Sequence, residues 1–417
     1  MIHDSYAYDA AMLDDLVRSH RPGGPLPQAF YTSPAVFNAD MDRIFGRYWL
    51  HAGHSCMLPE PGDFITWQVG SDSILVVRGR DGAIRAFHNA CRHRGARLCR
   101  DEIGRKPRIT CPYHAWSYDL DGRCLVKTEK EFGVHERELG LVPVRLRDVA
   151  GLLFVALGDD PVDFDSAAAG IASLLAVHGL ERGKVAKQAT YDVKANWKLV
   201  FENNRECYHC PSAHPEYIKG TYDVMRLDPR RAAEVERVAE AANRRFAALG
   251  LEPGDASSRM TEGFWRARRA PLMEGWVTQS LDGTPVAPLM GNLKDRDVGT
   301  LRITVFPNFW QHASSDHAVA TRLTPVDATR TRVDVWWIVD KDAQEGRDYD
   351  LAKLMPFWQR TSEQDWAICA ENQAGVSSRG YRPGRYGLTQ ETNVAQFVEW
   401  YLGELQPRQA PLKVVSA

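Results

Sequence analysis

Hydrophobic and polar positions change their rhythm once along the chain. From Asp63 to Leu157 the segments FITWQV, SILVVRG and AIRAFHN alternate or run apolar over the length of a strand, and GLLFVAL closes the stretch. Asp81-Gly82 and Asp121-Gly122 are hairpin-type dipeptides between them. This pattern predicts a small all-β unit. Past Asp160 an Ala/Leu stretch at 165 to 180 has helical spacing, KQATYDVKA reads as a strand, and a helix is expected from about Trp197 to His209. Residues 223 to 250 suit solvent-facing helices. LRITVF, AVATRLT and RVDVWWIVD, between 299 and 340, alternate as an antiparallel sheet does. Tyr349 to Gln373 reads as one long amphipathic helix and 393 to 404 as a final one. The expectation is an α+β chain in three parts: a helical segment at 1–45, a β domain at 46–160 and a sheet-and-helix domain at 161–417. No period of 20 to 50 residues marks a repeat architecture.

Composition narrows the function. A chain of 417 residues has room for two or three cores, and 52 Lys+Arg against 54 Asp+Glu leave no basic surplus to meet a phosphate backbone, so no nucleic-acid partner is expected. The longest apolar run, Gly151 to Leu157, is too short to span a bilayer, and no membrane association is expected. The start MIHDSYAYDAAMLDDL lacks the basic and apolar regions of a secretory signal, which implies a cytoplasmic protein. Disulfides are then not expected, and the eight cysteines read as metal ligands or buried thiols.

Two stretches place histidine at ligand spacing from cysteine. CRHRG and CPYHAW give Cys91, His93, Cys111 and His114, a C-x-H and a C-x-x-H separated by seventeen residues. Each loop supplies one thiolate and one imidazole. That set is what a Rieske [2Fe–2S] centre requires, with two Cys on one iron and two His on the other. A zinc site of two cysteines and two histidines is the alternative, but such sites pair like ligands, C-x2–4-C with H-x3–5-H. Tyr113 occupies the position where respiratory Rieske proteins carry an extra cysteine. His88 reads as a packed strand-end residue, and Cys99 and Cys124 as structural.

The second stretch is NWKLVFENNRECYHCPSAHPE at 196–216. On a helix Glu206 and His209 share a face, while His214 would lie about 140° further round. Pro211 should break or kink the helix between the histidines and let them converge. Two His and one carboxylate leave open coordination positions, as non-haem Fe(II) oxygenases need. Asp365, set among Trp366, Ile368 and Cys369, is the candidate carboxylate, since an acid at an apolar position is costly unless paired or metal-bound. The competing reading is a zinc-knuckle-like C-x2-C-x3-H of Cys207, Cys210 and His214, for which no fourth ligand follows nearby.

With C-x-H…C-x-x-H, then N-W-K-x-x-x-E-N-x-x-E-C-Y-H-C-x-x-x-H, then D-x-x-x-x-x-E-N-Q-x-G, the chain resembles the oxygenase (α) component of Rieske non-haem iron oxygenases over nearly its whole length. The resemblance implies a Rieske domain followed by a helix-grip (START-like) catalytic domain that holds mononuclear Fe(II), in a homotrimer. One subunit's cluster would feed its neighbour's iron through a bridging acid, here Glu206. Ring-hydroxylating members usually carry Asp there. Glu within ENNRECYHC, VDKDAQEGRDYDL, the W-x-H of Trp310 to His312 and the stretch at Tyr381-Arg382-Pro383-Gly384 are similar to the quaternary-ammonium subgroup, to which glycine betaine monooxygenase and stachydrine demethylase belong. EKEFGVHERELG and PNFWQHASSDH depart from that subgroup.

The resemblance therefore implies O2-dependent hydroxylation of an N-methyl group of a betaine-like quaternary amine, followed by loss of formaldehyde. With no GxGxxG fingerprint and no plant-type Cys spacing in the chain, NAD(P)H electrons are expected from a separate flavin/iron–sulfur reductase. Aromatic faces should hold a permanent cation, with Trp310 the favoured pocket residue and Trp265 and Phe309 further candidates. Two other readings stand beside this one: an aromatic-ring dioxygenase α subunit, and a Rieske electron carrier with a ligand-binding domain, which would hold no second iron site.

Overall fold

The computed structural model describes residues 6–222, 228–253 and 263–406. The first β-rich region contains β1 (Leu50–His54), β2 (Asp63–Val69), β3 (Asp72–Arg78), β4 (Ile84–His88), β5 (Ile103–Arg105), β6 (Ile109–Thr110), β7 (Ser117–Tyr118), β8 (Pro143–Val149) and β9 (Leu152–Ala156). Among the described residues, seven of these form one sheet in the order β1-β9-β8-β4-β3-β2-β5, and β6-β7 form a separate ribbon. Every residue of β9 is buried, because it lies between β1 and β8 with both faces covered, and its all-apolar LLFVA follows from that position. The sheet's two faces feed different cores. One face packs on the rest of the chain, while Phe64, Leu75, Val77, Phe87, Ile109, Trp116 and Tyr118 build a small separate core under the two Cys/His loops.

The second sheet holds β10 (Gly183–Val193), β11 (Trp265–Ala270), β12 (Thr300–Val305), β13 (Phe309–Ala313), β14 (Ala318–Asp327) and β15 (Arg330–Asp340). Its order is β10-β15-β14-β13-β12-β11, an antiparallel meander to which β10 is added along β15. The helix Pro356–Val376 packs on β10 and on the helix Trp197–Asn204, which gives the α+β architecture with an antiparallel sheet and one long helix.

The helix Trp197–Asn204 is held at its start from three directions. Asn196 caps it through Oδ1, which accepts the Lys198 N–H at 2.9 Å, while Asn196 Nδ2 donates to Ala328 O and the Asn196 N–H donates to Gln373 Oε1 in the long helix. From the N-terminal segment, Asp40 meets Lys198 Nζ at 2.5 Å, with both side chains at 0% exposure, and accepts from Trp197 Nε1 and Tyr401 OH. A buried ion pair of this kind is costly to break by removing one partner, by about 3–5 kcal/mol, so it locks the helix in one place.

Several expectations are corrected. The helix ends at Asn204, well before His209: two asparagines close it, and the Glu206 carboxylate takes the backbone N–H groups of Tyr208 and His209 in place of the helical ladder. The expected 349–373 helix is two, Leu351–Leu354 and Pro356–Val376, because Pro356 has no N–H to continue the first and instead opens the second. PNFWQHASSDH contains β13, unrecognised because FWQHA is buried almost throughout and does not alternate. The helical reading of 223–250 holds for Ala232–Ala248, while 223–227 lie outside the described residues. Cys207 and Cys210 form a disulfide, against the expectation of free thiols; they are three residues apart at a chain reversal that brings their Cα atoms to 4.9 Å. No helix among the described residues is long and apolar enough to cross a membrane.

Candidate metal centres

The same turn is used twice to present the first four candidate ligands. Cys91 O accepts the Gly95 N–H at 2.8 Å and Cys111 O accepts the Ala115 N–H at 3.1 Å; the Cys91 and Cys111 N–H groups donate to Ala96 O and Trp116 O. The fifth residue of each turn is left-handed, Gly95 at φ +76° and Ala115 at φ +57°. Glycine adopts that conformation freely, while for Ala115 it costs roughly 1–2 kcal/mol, a local strain kept where the loop must present ligands.

The two loops close on one another. Cys91 and Cys111 are buried free thiols, the His93 and His114 rings lie 4.7 Å apart, and His114 is exposed. His93 Nδ1 is buried with no hydrogen-bond partner among the described residues, as expected of a nitrogen reserved for a metal. Sulfur donors inside and imidazoles toward solvent fit a binuclear cluster in which one iron takes both thiolates and the other both imidazoles. Two neighbours were not anticipated from sequence: Trp116 stacks on His93 at 4.7 Å and 4°, and Tyr118 OH lies 3.3 Å from Cys91 Sγ. His88 ends β4 with Nδ1 3.6 Å from Asp72, and Cys99 and Cys124 are buried.

The second centre gathers His209, His214 and Asp365. His209 Nε2 and His214 Nε2 are 3.1 Å apart, and Asp365 Oδ1 is 2.9 Å from the second and 3.3 Å from the first. The other ring nitrogens are tied down: His209 Nδ1 to Glu206 Oε1 at 2.5 Å, and His214 Nδ1 to Gln364 Oε1 at 2.8 Å. Two imidazoles aimed at one point, each oriented by a hydrogen bond behind it, together with a carboxylate, form the donor set of a mononuclear iron site with open positions.

Convergence does not come from a proline break. Pro211 sits in the first turn of the short helix Cys210–Ala213, where its missing N–H costs nothing, and the chain reverses on either side of that helix. Burial depresses the His209 pKa, but the Asp365 and Glu206 carboxylates outweigh it and hold the group up at about 9. Burial likewise lowers His214 and raises Asp365, and their mutual contact reverses both. A metal ion held here would displace the protons those imidazoles share with Asp365.

His209, His214 and Asp365 face a cavity of about 640 Å³. Its floor is a ladder of three strands. Residues two apart on a strand share a face, which puts Arg266 and Arg268 of β11, Arg302 and Thr304 of β12, and Trp310 and His312 of β13 on the cavity side. Cross-strand pairing orders them in two rows, Arg268–Arg302–His312 and Arg266–Thr304–Trp310. Arg205 joins the lining, its guanidinium pKa drawn down to about 9 by burial and by neighbouring Arg266. Trp358 lies beside His312, its ring tilted 51° with centroids 4.3 Å apart, and also lines the cavity. Trp310 is therefore a lining residue, whereas Phe309 is buried against His51 and Trp265 packs toward Gly170. Sequence reasoning had no signal for the arginines, which are spread over three segments.

Residues 48–132 match the Rieske [2Fe-2S] domain and residues 180–406 match the ring hydroxylating alpha subunit (catalytic domain). The glycine betaine monooxygenase oxygenase subunit of Pseudomonas aeruginosa (strain UCBPP-PA14) is 40% identical over 390 residues, 93% of this chain and 90% of that protein. The carnitine monooxygenase oxygenase subunit of Escherichia coli (strain K12) is 36% identical over 210 residues, 49% of this chain and 54% of that protein. Among solved structures, a quaternary ammonium Rieske monooxygenase superposes with a TM-score of 0.73 at 23% identity, covering 94% of this chain and 98% of that one, a likeness of fold.

Proposed function

The chain belongs to the Rieske non-haem iron oxygenases as an oxygenase (α) component, and we propose that it hydroxylates an N-methyl group of a carboxylated quaternary amine of the betaine class. The observation that carries this reading is the cavity floor, where a row rich in guanidinium lies beside aromatic faces under the candidate iron ligands. Guanidinium groups pair with a carboxylate, and a permanent cation, which has no proton to donate, is attracted to the electron-rich face of Trp310 or Trp358. A zwitterion offers a group to each; an arene engages the aromatic faces alone.

Cys91, His93, Cys111 and His114 would hold the [2Fe–2S] cluster, and His209, His214 and Asp365 the mononuclear Fe(II). When bound, these groups supply single-electron transfer from NAD(P)H by way of a separate flavin/iron–sulfur reductase, and activation of O2. The chain's own part is positional. Glu206 and Gln364 fix the two imidazoles through Nδ1, and the aromatic and arginine rows fix the substrate so that one methyl group faces the ligands. The hydroxymethyl group then gives up its O–H proton to water as the C–N bond breaks, the nitrogen keeping that bond's electron pair and formaldehyde leaving. We further read the chain as a cytoplasmic homotrimer in which Glu206 bridges one subunit's cluster and its neighbour's iron, with a domain division at 46–160 and 161–417. This is supported by the likeness to oxygenase subunits over most of the chain.

The test is a panel of N-methylated compounds with NADH and a competent reductase. Formaldehyde released in step with demethylated amine from betaines, and not from choline, is the expected result. A panel that yields no formaldehyde overturns the substrate class, and a cis-diol from an arene would establish ring dihydroxylation in its place.

A further inference from the structure

The two imidazoles of the mononuclear site are backed by different groups. His209 Nδ1 meets the carboxylate of Glu206, which when ionised can only accept, so the proton on that nitrogen has one place to point. His214 Nδ1 meets the side-chain amide of Gln364 at 2.8 Å, and an amide presents an oxygen from one side and an NH2 from the other. The two orientations have opposite consequences. With the amide oxygen toward His214, the neutral ring carries its proton on Nδ1 and keeps a free electron pair on Nε2, the atom that faces His209 and Asp365. With the NH2 group toward it, Nδ1 must accept, the proton moves to Nε2, and the ring has no pair to offer there.

Glu216 decides between them. Its carboxylate is held at both oxygens from the long helix: Arg360 Nη1 donates to Oε1 at 3.2 Å and Gln364 Nε2 donates to Oε2 at 3.5 Å. Arg360 and Gln364 are four residues apart on that helix, so both reach one acid. Turning the Gln364 amide over would set its oxygen against Glu216 Oε2, acceptor against acceptor, in place of a donated hydrogen bond. The Arg360–Glu216 pair lies partly in solvent and adds little stability, so its effect is on orientation. The arrangement also ties two distant segments together behind the site. Glu216 stands two residues beyond His214, and Gln364 directly precedes Asp365.

We propose that Glu216 is a positioning residue of the mononuclear site which, acting through Gln364, fixes the nitrogen that His214 offers to a metal. The inference rests on the metal-site reading above and adds to it a residue outside the ligand set.

The test uses the full-length protein with its cluster intact, the mononuclear site emptied by chelation and then titrated anaerobically with Co(II) against a competing chelator. Glu216→Ala should weaken cobalt binding by roughly 10-fold, the lower end of the effect of an outer-shell partner. In a Gln364→Ala background the same substitution should add no further loss, because the group it acts through is gone. In a Gln364→Glu background a carboxylate replaces the amide and has no NH2 side to present. There Glu216→Ala should leave binding unchanged or tighten it, since two facing acids are reduced to one. A role in packing, or the loss of a negative charge near a cation, would give the same loss in all three backgrounds. Unchanged cobalt affinity in Glu216→Ala overturns the proposal, and so does an equal loss in either Gln364 background. Wild type that binds no cobalt overturns the metal-site reading together with this inference, whereas a substrate panel without formaldehyde bears on substrate class alone.

Discussion

The phenol of Tyr118 accepts the Arg92 backbone N–H at 3.0 Å and lies 3.3 Å from Cys91 Sγ, so its own proton is directed at the sulfur. A hydrogen bond to a ligand thiolate stabilises the more negative, reduced cluster and raises its potential. Tyr118→Phe should lower the midpoint potential by about 40 mV, the one-electron equivalent of the ~1 kcal/mol net value of a hydrogen bond. Spectroelectrochemical titration measures this. An unchanged potential with an unchanged cluster spectrum would leave Tyr118 a packing residue.

Glu206 serves His209 as a hydrogen-bond acceptor, and its charge is a separate property. Glu206→Gln keeps an acceptor oxygen on Nδ1, so iron should stay loaded, while turnover collapses if the carboxylate also relays electrons between subunits. Glu206→Ala removes the acceptor and should weaken metal binding by roughly 10–100-fold. Metal analysis beside single-turnover rates separates the two roles; near-normal turnover in Glu206→Gln would remove the bridge from the mechanism.

Arg302 stands between Arg268 and His312 in the cavity floor. Losing a charge-assisted hydrogen bond to a substrate carboxylate costs about 1.5–3 kcal/mol, so Arg302→Leu should cut kcat/KM for a betaine by roughly 10–100-fold, mostly through KM. The betaine ethyl ester, which lacks the carboxylate, should lose much less. Equal losses for both would show that Arg302 only supports the sheet.

His51 and His54 are buried with their ring centroids 4.9 Å apart, and no ring nitrogen of either has a hydrogen-bond partner among the described residues; His178 is buried elsewhere. Burial pushes all three below the usual imidazole value, His54 and His178 to about 3. A histidine lowered on folding contributes stability that is present above its unfolded pKa, about 6.5, and lost as pH falls toward the folded value, because the unfolded chain binds the extra proton. The thermal midpoint should therefore fall steadily from about pH 6.5 to about pH 5. His54→Phe should flatten that slope; an identical slope would place the acid sensitivity elsewhere.

The chain's local chemistry was readable in order. C-x-H and C-x-x-H each lie within a single turn, so spacing alone carried Cys91, His93, Cys111 and His114, and the strands β2, β3 and β4 declared themselves by alternation. His209 and His214 were legible for the same reason, being five residues apart, although the kink was assigned to the wrong residue. Asp365 required an inference about burial, because its partners lie more than 150 residues away.

What required the tertiary structure was everything built by pairing across distance. Arg268, Arg302 and His312 become one row only through the register of β11, β12 and β13, and no local pattern encodes register between strands as far apart in sequence as β11 and β12. Tyr118 reaches Cys91 because the β6-β7 ribbon returns under the first loop. The Cys/His pairs and the secondary structure follow from forces within a few residues of each position. The direction a side chain faces across a cavity is set by how sheets and helices pack, so the amino-acid order determined which chemistry the protein carries, and the fold decided what that chemistry can hold.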